Sequence, residues 1–87
     1  MKILHLDQNH PLLIEQLAAA GFENTENYTS SKSEIEQVIA NYQGIVIRSR
    51  FKIDRTFLES AINLKFIARV GAGLESIDLE YAKKRNI

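Results

Sequence analysis

The segment best suited to bind an anion is Gly71-Ala72-Gly73-Leu74-Glu75-Ser76, which lies between an apolar strand pattern and a helix start. Glycines let the backbone approach an anion closely, and N–H groups at a helix start can donate to it. The third glycine of the dinucleotide fingerprint GxGxxG is replaced by Ser76, and the loop follows the fourth predicted strand rather than the first. A small anion is therefore the favoured ligand, with a dinucleotide and a simple tight turn as alternatives.

A second candidate, Arg48-Ser49-Arg50-Phe51-Lys52, directly follows the β-branched run 45–47. A guanidinium at the end of a strand can hold a carboxylate or phosphate through two parallel hydrogen bonds. Arg69 falls inside another apolar run, where a cation needs an anion, an acid or a path to solvent. The alternatives are a solvated loop at 48–52 and a structural pair of Arg69 with Asp54, Glu75 or Asp78.

Composition limits the other classes of function. The 87 residues are 45% apolar and 25% charged, as in an ordinary globular domain, and include no cysteine. Neither a metal-ligand set nor a nucleophile triad is apparent, and His5 is expected to be a structural histidine within a strand. No apolar run approaches a membrane span and no signal peptide is recognisable, so a cytoplasmic protein without a membrane partner is expected.

The two halves of the chain differ in charge. Residues 1–43 carry two bases and six acids, whereas residues 44–87 carry nine bases and five acids. The positive excess is concentrated in 48–69, which favours a small anionic ligand. It does not extend over the whole domain, as a nucleic-acid surface would require.

Strand and helix patterns alternate four times along the chain. Pro11 and Gly21 bound the first helix, Ser31 and Glu34 form a capping box for the second, and Asp54 begins the third. The predicted strands are 2–7, 22–28, 45–47 and 66–70, and the predicted helices are 11–20, 31–42, 54–61 and 78–85.

This alternation predicts an α/β fold with a parallel sheet and helices on both faces. The polar second strand belongs at an edge, which favours the strand order 2-1-3-4. The loops 7–10, 48–54 and 71–78 then meet at the carboxyl ends of the strands, where ligands bind in such sheets. Asn86-Ile87 has the pattern of a helix stop and the start of a fifth strand, so we expect a domain truncated before that strand.

The stretch 44–87, with VIRS, LKFIARVGAGLESID and AKKRNI, resembles the D-isomer-specific 2-hydroxyacid dehydrogenases. Residues 1–43 agree mainly in layout. Phe51, Glu75-Ser76 and Asn86 depart from the family pattern, and the first two leave the substrate open. The resemblance implies that 1–87 is a segment of a flavodoxin-like substrate-binding (catalytic) domain. It also implies that the Rossmann domain that binds NAD, and the catalytic residues, lie outside this segment.

The same resemblance implies an oxidoreductase acting on the CH–OH group of a small anionic 2-hydroxy or 2-keto acid, with D-3-phosphoglycerate the expected substrate. The full-length enzyme is expected to be a homodimer, and the 87-residue segment alone to be inactive. Two other classes remain open: a non-enzymatic small-anion-binding domain and a Rossmann-type nucleotide binder. By position, the implied substrate-binding residues are Arg48, Ser49, Arg69, Gly71, Ala72 and Gly73.

Overall fold

Four parallel strands form one sheet in the order β2-β1-β3-β4, which confirms the predicted topology. The computed structural model describes residues 1–48, 50–70 and 77–87. Its elements in chain order are β1 (Lys2–His5), α1 (Pro11–Ala19), β2 (Glu23–Glu26), α2 (Lys32–Val38), a 3-10 turn (Ile39–Asn41), β3 (Gly44–Ile47), α3 (Arg55–Ser60), β4 (Phe66–Arg69) and α4 (Leu79–Lys84).

The character of each strand matches its place in the sheet. β2, with the sequence ENTE, contains no fully buried residue and lies at one edge. β3, with the sequence GIVI, is buried throughout and lies between β1 and β4. An interior strand covered on both faces needs a continuous apolar run, whereas an edge strand tolerates polar side chains.

Alternate strand residues supply two separate faces. Leu4 and Leu6 of the first strand segment and Ile45 and Ile47 of β3 form one cluster with buried residues of α2, α3 and α4. The connection from β1 to β2 and the connection from β2 to β3 run across the sheet in opposite directions. Because both crossovers are right-handed, α1 lies on the face of the sheet opposite to α2. None of the nine α1 residues is fully buried, so α1 covers that face only in part.

The helix boundaries were predicted largely correctly. The Ser31–Glu34 capping box forms with both hydrogen bonds, of 3.2 and 2.9 Å, and Pro11 occupies the first turn of α1. Gly21 and Asn86 adopt positive φ values of 93° and 58° after α1 and α4, as expected of helix stops.

The predicted helix over 31–42 is shorter than expected. α2 ends at Val38, and the 3-10 turn follows, closed by a hydrogen bond from the Tyr42 N–H to the Ile39 carbonyl. The tighter turn leads the chain directly into the sheet, where the Gln43 N–H donates to the Lys2 carbonyl. In the described part of the chain no helix is long and apolar enough to cross a bilayer.

Candidate anion-binding site

The Asp7 carboxylate joins the ends of the two central strands. Asp7 Oδ2 accepts hydrogen bonds from the backbone N–H groups of Arg48 (2.6 Å) and Arg50 (3.2 Å). β1 and β3 are parallel neighbours, so the residues that follow them emerge at the same edge of the sheet. The predicted meeting of the loops 7–10 and 48–54 is therefore observed, and Asp7 is the residue that links them.

The Arg50 guanidinium extends this link to the second strand. Its Nη1 donates to the carbonyls of Leu6 (3.0 Å) and Asn27, and its Nη2 donates to the carbonyl of Ser30. These acceptors come from the segments that follow β1 and β2. The guanidinium carbon also lies 4.6 Å from the centroid of the Phe51 ring, which packs against the core.

Asn27 organises the turn that Arg50 contacts. Its Oδ1 accepts from the backbone N–H of Ser30 at 3.1 Å, and its Nδ2 donates to Ser30 Oγ at 2.9 Å. The carbonyls of Asn27 and Ser30 thereby face Arg50 from an ordered turn. Arg50 was grouped with Arg48 in the sequence because both are cations, but its contacts are those of a structural clamp.

Arg48 is an exposed cation of this loop, as is Lys52, whereas Arg50 is partly buried. Its backbone is held by Asp7, and its Nη1 donates to the Gln8 carbonyl at 3.1 Å. A guanidinium has five N–H donors, and the Gln8 contact uses one of them. The geometry leaves donors of Arg48 at the carboxyl edge of the sheet able to pair with a carboxylate or a phosphate.

Asp54 closes the same loop at the start of α3. Its Oδ1 accepts the Phe57 N–H at 3.0 Å, and its Oδ2 accepts from Lys32 Nζ at 2.6 Å. The Lys32 hydrogen bond and, after it, the Phe57 N–H lower the pKa of the Asp54 carboxyl below its ordinary value of 3.8. Asp54 is thus paired with Lys32, from the start of α2, and not with Arg69 as one alternative proposed.

The described residues on both sides of 71–76 are bonded to the β3 region. The Val70 N–H donates to the Ile47 carbonyl, and the Asp78 N–H donates to the Ile53 carbonyl, each at 2.9 Å. Ile53 and Ile77 also form an isolated parallel bridge. Val70 and Asp78, described residues on the two sides of 71–76 in the sequence, are therefore held beside the ends of the segment 47–53 that contains Arg48.

Two of the six predicted site residues, Arg48 and Arg69, lie within the described part of the chain. Arg69 is half-buried at the end of β4, opposite Ile47 of β3, and its Nη1 donates to the Val70 carbonyl at 2.5 Å. Arg48 is exposed at the end of β3. Ser49, Gly71, Ala72 and Gly73 lie outside the described residues, so their part in the site remains a prediction.

The role of one histidine was missed in the sequence, and that of the other was predicted. His10 is the N-cap of α1, with its Nδ1 accepting the Leu12 N–H at 3.1 Å; the unusual capping residue gave only a weak signal. His5 is 1% exposed and its Nε2 lies 2.8 Å from Asn24 Oδ1, in accord with the structural role predicted for it. Within the described ranges, no three His, Cys, Asp or Glu side chains are grouped as metal ligands would be.

The family can be identified from a sequence-profile match. The profile described as D-isomer specific 2-hydroxyacid dehydrogenase, catalytic domain, matches residues 3–87. The chain belongs to the D-isomer-specific 2-hydroxyacid dehydrogenase family. The match includes the first half of the chain, where the sequence resemblance was weakest.

Curated relatives and solved structures similar to the chain agree with this placement. The chain is 32% identical to D-3-phosphoglycerate dehydrogenase of Archaeoglobus fulgidus and 36% identical to erythronate-4-phosphate dehydrogenase of Idiomarina loihiensis, each over 87 residues. A structural superposition on a protein from Pyrococcus horikoshii includes 99% of this chain and 26% of that one, with a TM-score of 0.90 and 34% identity. A superposition on an NAD+-bound 3-phosphoglycerate dehydrogenase of Entamoeba histolytica includes 100% of this chain and 31% of that one, with a TM-score of 0.87 and 28% identity.

The chain is much shorter than these family members. It covers all of its own length but only 16% of the Archaeoglobus fulgidus protein and 22% of the Idiomarina loihiensis protein.

Proposed function

We propose that this chain is the substrate-binding segment of an NAD-dependent dehydrogenase that oxidises the CH–OH group of a D-2-hydroxy acid. The observation that carries the proposal is the exposed Arg48 guanidinium, held at the carboxyl edge of the sheet, where β3 and β4 end side by side in a chain of this family. The proposed ligands of the substrate carboxylate are Arg48, Ser49, Arg69 and the backbone of Gly71, Ala72 and Gly73.

The chemistry of a 2-hydroxy acid explains the use of such a site. Oxidation removes a hydride from C2 and a proton from the hydroxyl group, which leaves a 2-keto acid. Because the carboxylate is attached to C2, fixing it through backbone N–H groups and a guanidinium orients the C2–H bond. An arginine also offsets the desolvation of the anion.

We propose D-3-phosphoglycerate as the substrate, on the strength of the named relatives. Two anionic groups on one substrate match two arginines, Arg48 and Arg69, at the ends of neighbouring strands. The relative that acts on erythronate 4-phosphate is named for another phosphorylated hydroxy acid, so both compounds belong in the test.

We propose that NAD binds outside residues 1–87, in another domain of the protein. In a sheet of this order the dinucleotide position would be the switch point between β1 and β3. There the Asp7 carboxylate already accepts hydrogen bonds from the N–H groups of Arg48 and Arg50, so these two donors are not available to a pyrophosphate. When bound by another domain, NAD would supply the hydride acceptor.

The test begins with the DNA that follows the codon for Ile87. We expect the reading frame to continue, and its complete product to form NADH from NAD and D-3-phosphoglycerate but not from an L-2-hydroxy acid. The homodimer is checked on the same product by light scattering. A stop directly after Ile87, or a complete product inactive on every D-2-hydroxy acid tried, contradicts the proposal and favours an anion-binding domain without catalysis.

A further inference from the structure

We infer that Arg50 and Asp7 are positioning residues that hold Arg48 in its anion-binding geometry. This inference deepens the proposed function and rests on it, because it assigns roles to two residues that do not themselves touch the substrate. Its basis is the connected set of hydrogen bonds at the carboxyl edge, in which the Asp7 side chain is an acceptor and the Arg50 side chain is a donor.

Asp7 fixes the backbone of the loop. A single oxygen of its carboxylate, Oδ2, accepts hydrogen bonds from the backbone N–H groups of both Arg48 and Arg50, the residues on either side of Ser49 in the sequence. Hydrogen bonds to a charged acceptor are stronger than those between neutral groups. Asp7 therefore sets the path of the backbone from which the Arg48 side chain extends.

Arg50 fixes the surroundings of that backbone. Its guanidinium donates to carbonyls after β1 and β2, which are separated from it by 44 residues at Leu6 and 20 residues at Ser30. A planar fork can satisfy several carbonyls at once, whereas an ammonium group acts as a point charge. Because Leu6 directly precedes Asp7, the Arg50 contact and the Asp7 contact reinforce each other.

The charge of Arg50 is retained at the edge where the anion is expected. The guanidinium donates to the carbonyls of Leu6, Asn27 and Ser30, which are neutral, so these contacts do not cancel its positive charge. Arg50 thereby adds to the attraction for an anion at Arg48 without being a ligand itself.

The experiment uses the 87-residue chain, with D-3-phosphoglycerate as probe and NMR titration as the measurement. We expect Arg50→Gln and Asp7→Asn to weaken binding by about tenfold or more, since a misplaced guanidinium loses its paired contacts. Arg50→Lys keeps the charge but not the fork, so it should restore less than half of the loss in binding free energy. Lys65→Gln removes one exposed charge at the opposite edge of the sheet and serves as the matched control.

A second readout separates positioning from general stability. The Arg48 amide donates to a carboxylate at 2.6 Å, so its proton resonance should shift downfield and report the loop geometry. We expect this resonance to move in Arg50→Gln and Asp7→Asn, but not in Lys65→Gln. In addition, Arg48→Gln combined with Arg50→Gln should cost less than the sum of the two single losses, because both act through one contact.

The outcomes distinguish the two proposals. If the unmodified chain binds D-3-phosphoglycerate and Arg50→Gln changes the dissociation constant by less than about twofold, only the positioning role is overturned. Failure of the unmodified chain to bind D-3-phosphoglycerate while it keeps the shifted Arg48 amide also overturns the positioning role, because the intact loop geometry then does not bind the anion. The proposed dehydrogenase is contradicted separately, by inactivity of the complete product on every D-2-hydroxy acid tried. If Arg50→Gln unfolds the chain, Arg50→Lys and Asp7→Asn provide the same comparison in folded protein.

Discussion

Gly44 of β3 lies opposite Phe66 of β4, and the Phe66 ring occupies the space that a side chain at position 44 would need. A Cβ on Gly44 would come within 2.2 Å of Phe66 Cζ. The absence of a side chain at the start of β3 thus allows the aromatic ring to cover the neighbouring strand.

We therefore expect Gly44→Ala to destabilise the chain by about 1–3 kcal/mol, the usual cost of overpacking. Chemical denaturation measures the change. Gly21→Ala is the comparison, because position 21 has open space around it and is disfavoured only by its φ of 93°. Phe66→Leu should recover part of the loss at Gly44→Ala and none at Gly21→Ala; equal recovery in both would contradict the contact.

Asp54 should contribute to stability in a pH-dependent way. Its pKa in the folded chain is lowered by Lys32, so its stabilisation is present above the ordinary value of 3.8 and is lost as pH falls through the lower folded value. The pair is partly exposed, with 31% of the Lys32 side chain and 47% of the Asp54 side chain accessible, which limits its contribution to about 1 kcal/mol or less.

Two substitutions at Asp54 separate the ion pair from the helix cap. Asp54→Asn keeps an acceptor for the Phe57 N–H but loses the charge, so its deficit should shrink in acid and at high salt. Asp54→Ala loses both and should cost about 1 kcal/mol more at neutral pH. Denaturation at several pH values checks this, and a deficit of Asp54→Asn that grows on acidification would refute the assigned sign.

Arg85 connects α4 to the end of α3. Its guanidinium donates to the carbonyls of Leu58 and Ala61, the latter at 2.8 Å, and lies 5.9 Å from the Tyr81 ring centroid. We expect Arg85→Ala to destabilise the chain by about 1–3 kcal/mol, as for hydrogen bonds to a charged group. Lys84→Ala, at the exposed preceding residue, should change stability by less than about 0.5 kcal/mol in the same thermal or denaturant measurement. Similar losses in the two variants would argue against the Arg85 contacts.

Arg48 should matter for anion binding more than for stability, because its side chain is exposed. We expect Arg48→Gln to weaken D-3-phosphoglycerate binding by about tenfold or more while changing the free energy of unfolding by less than about 0.5 kcal/mol. Calorimetry gives the first quantity and denaturation the second. In the complete enzyme the same variant should impair use of the substrate and leave NAD binding unchanged; unimpaired use would remove Arg48 from the site.

The fold was predictable because its signals are local. The polar run at 23–26 and the buried run at 44–47 determined which strand lies at an edge and which in the interior. Gly21, Asn86 and the Ser31–Glu34 box set three helix boundaries correctly. The end of α2 was missed because the apolar spacing up to Tyr42 is the same whether the last turn is α-helical or 3-10.

The candidate site was less predictable because its contacts are remote in sequence. Charge alone placed Arg48 and Arg50 in one basic cluster, although only Arg48 is exposed and Arg50 contacts carbonyls of residues 6, 27 and 30. The loop 7–10 was predicted to lie at the carboxyl ends of the strands, but the role of Asp7 as an acceptor for two N–H groups depends on the approach of β3. Such contacts appear only once the strands are placed side by side.

The strand order also limits when this chain can begin to fold during its synthesis. β1 lies between β2 and β3, so its hydrogen bonding is incomplete until residue 47 has left the ribosome, and β4 must follow to cover β3. At about 5–20 residues per second, the apolar first strand waits for some seconds without its principal partner. We therefore expect the chain to be most prone to aggregation, and most dependent on chaperones, while only its N-terminal half has left the ribosome.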